Sequence, residues 1–156
     1  GLIDWGEDLK LIGSDPTDLH IADFNGDGTT DISTQGSSDI FLAKFDSSGT
    51  LSWAKAIGGS GSDYGQDIAV DGNGNIYITG YFSSAMDIDP SSGTTTLTSS
   101  GGSDAFVAVY TNDGAFVRGF STGGSEDDYA YSLDLDASNN VHITGNYSGT
   151  VDFDPS

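Results

Sequence analysis

The chain has 156 residues, 35% of them hydrophobic, with 23 glycines and no cysteine, so it is long enough for about one domain and forms no disulfide or thiolate metal site. It carries 24 acidic against 4 basic residues, a formal net charge of −20 at pH 7. Such a surface repels nucleic acids and anionic membranes, and no apolar run is long enough for membrane insertion, so we expect neither kind of partner.

The sequence repeats itself with an offset of 65 residues. "GTTDISTQGSSDIFLA" at 28–43 pairs with "GTTTLTSSGGSDAFVA" at 93–108, and the pairing runs without a gap to "DIDPS" at 87–91 and "DFDPS" at 152–156. A partial first copy places "DFNGDG" at 23–28. The sequence therefore predicts one continuous repeat domain made of a partial repeat over 1–35, a full repeat over 36–100 and a second full repeat over 101–156 that is truncated at its end.

Apolar and polar residues alternate within each copy, as they do in half-buried strands. In the first full copy this pattern predicts four strands, at 39–46, 51–57, 66–71 and 76–82. The segments between them are rich in Gly, Ser and Asn, which favour tight hairpins because Gly and Asn tolerate positive φ. No segment has a helical period. Four short antiparallel strands per repeat are typical of a propeller blade or a β-solenoid turn, and less so of a sandwich.

The stretch "SDIFLAKFDSSGTLSWAKAIGGSGSDYGQDIAVDGNGNIYITGYF" resembles a β-propeller repeat family found in secreted and cell-surface bacterial proteins. The resemblance covers residues 28–156 well, although the last copy has Val109 and Arg118 where the first full copy has Lys44 and Trp53. It implies an all-β fold of antiparallel propeller-type blades, about two and a half in this chain, and an extracellular or cell-surface location. It implies no particular activity.

In the blade order usual for such propellers, "IAVD" at 68–71 is the inner strand and "LSWAKAI" at 51–57 the outer one. A closed propeller needs about four to eight blades, and open blade edges favour pairing with another strand. We therefore expect either that the chain is a piece of a longer array, or that identical chains complete one another's blades in a ring or filament.

The segment "DFNGDGTTD" has the spacing of a calcium loop. Oxygens at alternate positions converge on one point because a glycine at the sixth position allows a sharp bend. The flanks are strand-like and Thr34 stands where a helical calcium hand has Glu, so the segment instead resembles the Asp-rich loops of integrin-type propellers and dockerin-like modules. The predicted Ca²⁺ ligands are Asp23, Asn25, Asp27, the Thr29 carbonyl and Asp31. The alternative is a metal-free turn.

Two "D-x-D-P" segments are less specific candidates for Ca²⁺, with Asp87 and Asp89 in one and Asp152 and Asp154 in the other. Residues i and i+2 of an extended chain face the same way, and a shared cation would remove the repulsion between their carboxylates. The alternative is a solvated pair that caps a turn. Six other aspartates are predicted to bond the backbone of their own turns, namely Asp39, Asp63, Asp71, Asp104, Asp128 and Asp136.

No catalytic constellation is evident, and we expect no enzyme. The histidines, His20 and His142, lack a nucleophilic partner at a suggestive spacing, and the prominent acids recur from copy to copy or have a metal-like spacing, as scaffolding does. The sequence favours a calcium-stabilised extracellular structural or adhesive protein that self-associates through open blade edges. Alternatives are a calcium-dependent carbohydrate-binding module, with a carbohydrate or cell-surface partner, and last a glycoside hydrolase.

Overall fold

The computed structural model describes residues 20–21 and 30–154, and within these ranges the chain forms strands and no helix. The strands are β1 His20–Ile21, β2 Thr30–Asp31, β3 Ile40–Phe45, β4 Leu51–Gly59, β5 Asp63–Val70, β6 Ile76–Asp87, β7 Thr96–Tyr110, β8 Phe116–Thr122, β9 Tyr129–Leu135 and β10 Val141–Asn146. This part of the chain accordingly has no helix with the length and hydrophobicity that a membrane crossing requires.

Strands β5 to β8 form an antiparallel meander, which we call the central sheet. Strand β5 lies at one edge, β8 at the other, and β6 pairs with β7 from Ile76↔Tyr110 to Asp87↔Thr96. The segment "IAVD", predicted as the inner strand of a blade, lies at the end of β5, which among the described strands pairs only with β6 and so has the edge position that an inner strand requires. Strand β7 begins eight residues before Asp104, which therefore lies within the strand rather than ahead of it, and the repeat boundary at 100/101 also falls inside β7.

Two strand pairs flank the central sheet. The β3–β4 pair has the register of β7–β8 shifted by one repeat, since Ile40↔Ile57 corresponds to Ala105↔Thr122. The β9–β10 pair likewise repeats β5–β6. The β3–β4 pair joins the central sheet at one end, where Gly58 and Gly59 of β4 pair with Asp87 and Met86 of β6, so that six strands are connected. The described residues thus contain the four strands of the central sheet, the equivalent of its outer half and the equivalent of its inner half. The expected total of two and a half blades also depends on residues outside the described ranges.

Four of the hairpin turns follow one rule. In each of them, the residue in the fourth turn position has positive φ, and its N–H donates to the carbonyl three residues earlier. These residues are Gly49, Gly74, Gly114 and Asn139, with φ of 88°, 85°, 75° and 61°. Because Gly and Asn tolerate this conformation, the Gly- and Asn-rich turns end the strands where the sequence predicts.

The hydrophobic core lies on both faces of the central sheet. One cluster packs β3 and β4 against β6 and β7, with Phe82, Phe106 and Tyr110 at its centre. A smaller cluster packs Tyr77 and Val107 of the opposite face against Leu133 of β9. Residues 104–110 of β7 are buried without interruption, because a strand covered on both faces has no solvent side.

Candidate functional site

The predicted calcium loop lies mostly outside the described residues. Asp23, Asn25, Asp27 and Thr29 fall in the undescribed segment, and of Asp31 the structure gives the backbone pairing with His20 in the β1–β2 ladder. Its role as a calcium ligand remains a prediction.

The first "D-x-D-P" segment follows β6 and closes its own loop with carboxylate oxygens. Asp87 Oδ1 accepts the N–H of Asp89 at 3.0 Å and that of Thr95 at 2.9 Å, and Asp89 Oδ1 accepts the N–H of Ser91 at 3.0 Å. Ile88 between them is fully buried, and its carbonyl accepts the Tyr110 hydroxyl at 2.9 Å. Both aspartates are half-buried, and each keeps a second carboxylate oxygen for another ligand.

The second "D-x-D-P" segment repeats part of this geometry. Asp152 Oδ1 accepts the N–H of Asp154 at 2.9 Å, and the Asp152 carbonyl accepts the Thr122 hydroxyl at 2.6 Å. Here both aspartates are exposed. Among the described residues no three acidic or histidine side chains lie close enough to hold a metal ion by themselves. Any Ca²⁺ at these segments would therefore take main-chain carbonyls and water as further ligands, which Ca²⁺ accepts readily.

Asp71 and Asp136 close the hairpins that follow the inner strands, as predicted. In each, Oδ1 accepts two backbone N–H groups of the turn and Oδ2 accepts the side-chain amide of Asn75 or Asn140. These bonds favour the ionised form, so the amide of Asn140, followed by the turn N–H groups, lowers the pKa of Asp136 to about 2. Such carboxylates hold turns and are not poised for proton transfer at neutral pH.

Two carboxylate corners recur one repeat apart. We call Asp39, Gly58, Gly59 and Asp63 the first corner, and Asp104, Gly123, Gly124 and Asp128 the second corner. In each, the first Asp accepts an N–H four residues earlier and the second Asp accepts the N–H of the second Gly. The backbone roles predicted for these aspartates are therefore confirmed.

The corners are built so that a carboxylate rests against glycine. A Cβ at Gly58 would lie 2.7 Å from Asp39 Oδ1, and one at Gly123 would lie 2.6 Å from Asp104 Oδ2. Burial, followed by the charge of Asp39 and only partly offset by the Gly59 N–H, raises the pKa of Asp63 to about 6. Burial likewise raises the pKa of Asp39 and of Asp104.

A clasp joins the β3–β4 pair to the β7–β8 turn. The Lys44 ammonium donates to Asn112 Oδ1 at 2.7 Å, and Trp53 Nε1 donates to the Asn112 carbonyl at 3.3 Å. A Cβ on Gly114 would lie 3.2 Å from the Trp53 ring, so the indole lies against this turn. The sequence signal was the replacement of Lys44 and Trp53 by Val109 and Arg118 in the next copy. The alternating pattern by itself indicates only that these are strand positions.

Truncation of the clasp should destabilise the fold measurably. We expect Trp53→Ala to lower the free energy of unfolding by about 2 kcal/mol, below the usual cost for a fully buried Trp because the indole is half-buried. Urea unfolding followed by circular dichroism measures it. Val117→Ala, at an exposed position of β8, is the control and should change the value by less than about 0.5 kcal/mol. Equal effects of the two variants would contradict the clasp.

Comparison with known proteins finds a β-propeller repeat in this part of the chain. Residues 53–81 match the family model of the β-propeller repeat. They run from the clasp tryptophan in β4 to Tyr81 in β6, through the whole of β5. The central sheet therefore has the four-stranded antiparallel form of a propeller-type blade, in agreement with the predicted fold class.

Two curated proteins are similar to the chain. One is the regulatory protein FlaEY of Caulobacter vibrioides, 29% identical over 156 aligned residues that cover 94% of this chain and 16% of that protein. The other is an uncharacterised WD repeat-containing protein of Acanthamoeba polyphaga mimivirus, 30% identical over 140 residues that cover 83% of this chain and 10% of that protein. The chain thus spans a sixth or less of the length of these relatives.

Contacts between consecutive propeller-type blades add two features that the sequence did not reveal. Asp67 Oδ2, in β5 of the central sheet, accepts hydrogen bonds from the Ser132 hydroxyl and the Leu133 N–H of β9, both at 2.8 Å. A row of tyrosine rings crosses the same boundary, with centroids 4.6 to 6.0 Å apart between neighbours; its members are Tyr64, Tyr81, Tyr129 and Tyr131. The ends of the row, Tyr64 and Tyr131, are 40% and 44% exposed.

Proposed function

We propose that the protein is a non-enzymatic, calcium-stabilised extracellular component with a structural or adhesive role, in which chains complete one another's blades. One observation carries the proposal. In the described residues the β3–β4 pair has the strands of an outer half-blade, and the β9–β10 pair has those of an inner half-blade. The two halves are complementary, so the β9–β10 pair of one copy can form a full blade with the β3–β4 pair of another, in place of the partial repeat predicted over 1–35 of that copy.

The repeat predicts the register in which β10 of one copy would pair with β3 of another. Within the central blade β6 pairs with β7 through Ile76↔Tyr110, Ile78↔Ala108 and Gly80↔Phe106. Shifted by one repeat, β10 of one copy pairs with β3 of another through Val141↔Phe45, Ile143↔Ala43 and Gly145↔Phe41. The exposed side chains of Phe41 and Phe45, at 55% and 49%, support this interface because their counterparts Phe106 and Tyr110 are fully buried.

Charge supports a role for calcium in the assembly. Joining two chains of net charge −20 brings like charges together, and cations that bind the assembled state offset the repulsion. Millimolar extracellular calcium suits loops of weak affinity, which is why we place the protein outside the cell or at its surface. The absence of an enzyme activity is proposed because the buried acids occur in equivalent backbone-bonding roles in both copies.

The test is solution mass by light scattering, in millimolar CaCl₂ and after chelation, together with a register-specific cross-link. Because the chain has no cysteine, an equimolar mixture of Ala43→Cys and Ile143→Cys chains can form one kind of hetero-disulfide. We expect a large particle that dissociates on chelation, and a disulfide-linked dimer under mild oxidation.

The off-register partner Phe41→Cys, mixed with Ile143→Cys, is the matched control and should cross-link far less. A monomer in both buffers would contradict self-association. A particle that cross-links equally in both registers would contradict blade completion while leaving association by another surface.

The tyrosine row favours a second candidate, a carbohydrate-binding module. Exposed aromatic rings in a row present stacking surfaces to sugar rings, with Asp127 beside Tyr129 as a hydrogen-bond acceptor. In this case the protein remains monomeric in both buffers and is retarded in an affinity gel that contains a soluble polysaccharide. Loss of the retardation in Tyr64→Ala would assign the binding to the row.

A further inference from the structure

The first corner contains two buried carboxylate oxygens without a hydrogen-bond partner. These atoms are Asp39 Oδ1 and Asp63 Oδ1, and Asp63 as a whole is only 1% exposed. A buried oxygen that accepts no hydrogen bond is costly, and a buried carboxylate more so. The partner carboxylate adds its own repulsion. Two buried carboxylates that repel each other and lack hydrogen-bond partners indicate that a positive charge is missing from the first corner.

No described basic side chain supplies that charge. Lys44 is held by Asn112 in the clasp, the described ion pair joins His142 to Asp136 at another turn, and neither Lys55 nor Arg118 forms an ion pair with a described carboxylate. Within the described part of the chain, the counter-charge left for the first corner is a proton or a metal ion from solvent.

We propose that the first corner binds a calcium ion, with Asp39 Oδ1 and Asp63 Oδ1 as its carboxylate ligands. Oxygen-only donors suit a hard cation, and main-chain carbonyls and water complete the coordination shell. The ion reaches the corner through a cleft of about 460 Å³ between β3 and β5, which both carboxylates line. Calcium is preferred to magnesium because it gives up its water more readily and accepts irregular geometry.

The second corner is a natural comparison within the same chain. There Asp128 Oδ1 accepts the N–H of Ser148 at 3.0 Å, which leaves Asp104 Oδ1 as the one unpartnered oxygen. The counterpart of Ser148 is Ser83, whose N–H donates to the Ser62 carbonyl at 3.1 Å and gives the Asp63 carboxylate only a weaker stabilisation. The second corner therefore has one free oxygen where the first has two, and it binds calcium more weakly.

This site is separate from the predicted calcium loops and does not rest on the proposed function. A chain that never self-associates would still bind calcium at the first corner. An assembly that is held together by the other loops would still form if the first corner were empty.

The test is calorimetric titration of the full chain with CaCl₂ at pH 7.5. We expect Asp39→Asn and Asp63→Asn each to remove about one tightly bound Ca²⁺ per chain, because either change halves the carboxylate ligands of the ion. Asp128→Asn, the equivalent change in the second corner, and Asp113→Asn, at an exposed turn, are charge-matched controls that keep the tight site. Unchanged tight binding in folded Asp39→Asn and Asp63→Asn chains would overturn the proposal.

A measurement on the native protein keeps the proposal testable if the variants fail to fold. At pH 5 without calcium, infrared spectroscopy should detect the carbonyl band of protonated carboxylic acids, and addition of CaCl₂ should weaken it as the ion displaces the proton of the first corner. A band of unchanged intensity in excess CaCl₂ would mean that the corner keeps its proton, and would overturn calcium binding there.

Discussion

Truncation of Phe106 to alanine is expected to lower the free energy of unfolding by about 4 kcal/mol, within the usual range for a fully buried Phe. Its side chain has no solvent exposure and meets the Phe82 ring edge to face, with centroids 6.3 Å apart. The central sheet is covered on both faces at this point, so the surrounding strands cannot collapse into the cavity that the truncation leaves. Urea unfolding of the monomeric protein measures the loss.

The matched control is Phe41→Ala, one repeat earlier in the sequence. Phe41 occupies the equivalent position of β3 but is 55% exposed, so its truncation should cost less than about 1 kcal/mol in a monomer. The same variant should weaken self-association if blades are completed between chains. Comparable losses of stability from the two truncations would contradict the burial assigned to the central blade.

Substitution of Gly80 by alanine is expected to cost about 3 kcal/mol, at the upper end for overpacking. Its Cβ would overlap the carbonyl oxygen of Tyr64 and lie 2.9 Å from the carbonyl carbon, at the point where the β5–β6 register shifts. A backbone atom cannot rotate away as the end of a side chain does, so the ladder must move. The same approach recurs between Gly145 and Tyr129.

Gly72→Ala is the control for this prediction. Gly72 lies in the turn after β5 with open space around its Cβ position, and its φ is not positive. We expect a change within about 0.5 kcal/mol, or a slight stabilisation from the less flexible unfolded chain. A mild Gly80→Ala variant, with a midpoint equal to that of Gly72→Ala, would show that β5 is able to shift and that the glycine is not required by close approach.

The strands and hairpins of the first full repeat were predicted closely. The four expected segments correspond to β3, β4, β5 and β6, and the turns close with positive φ at glycines such as Gly49 and Gly74. This succeeded because alternation and turn chemistry are local properties. The start of β7 was missed, since "TTTLTSS" has Leu97 as its one large apolar residue and pairs because β6 continues alongside it to Asp87.

The carboxylate corners show which contacts could not be predicted from local sequence. The sequence indicated that Asp39 and Asp63 would bond nearby backbone, and both do. It did not indicate that the two carboxylates would lie close enough to repel each other, because they are 24 positions apart in the chain, with the whole of β4 between them. Nor did it show that their remaining oxygens would be buried without partners, since burial depends on the strands packed around them.

The sequence by itself determined the repeat, the all-β class, the strands of the first full repeat and the acidic turns, because each depends on spacing and composition within a few residues. Only the tertiary structure decided which equivalent positions differ. Phe106 is buried and Phe41 exposed, and Lys44 and Trp53 bind a neighbouring turn that Val109 and Arg118 cannot bind in the same way. The physical reason is that a repeat gives each copy similar strands, whereas burial and partners depend on what packs against each copy.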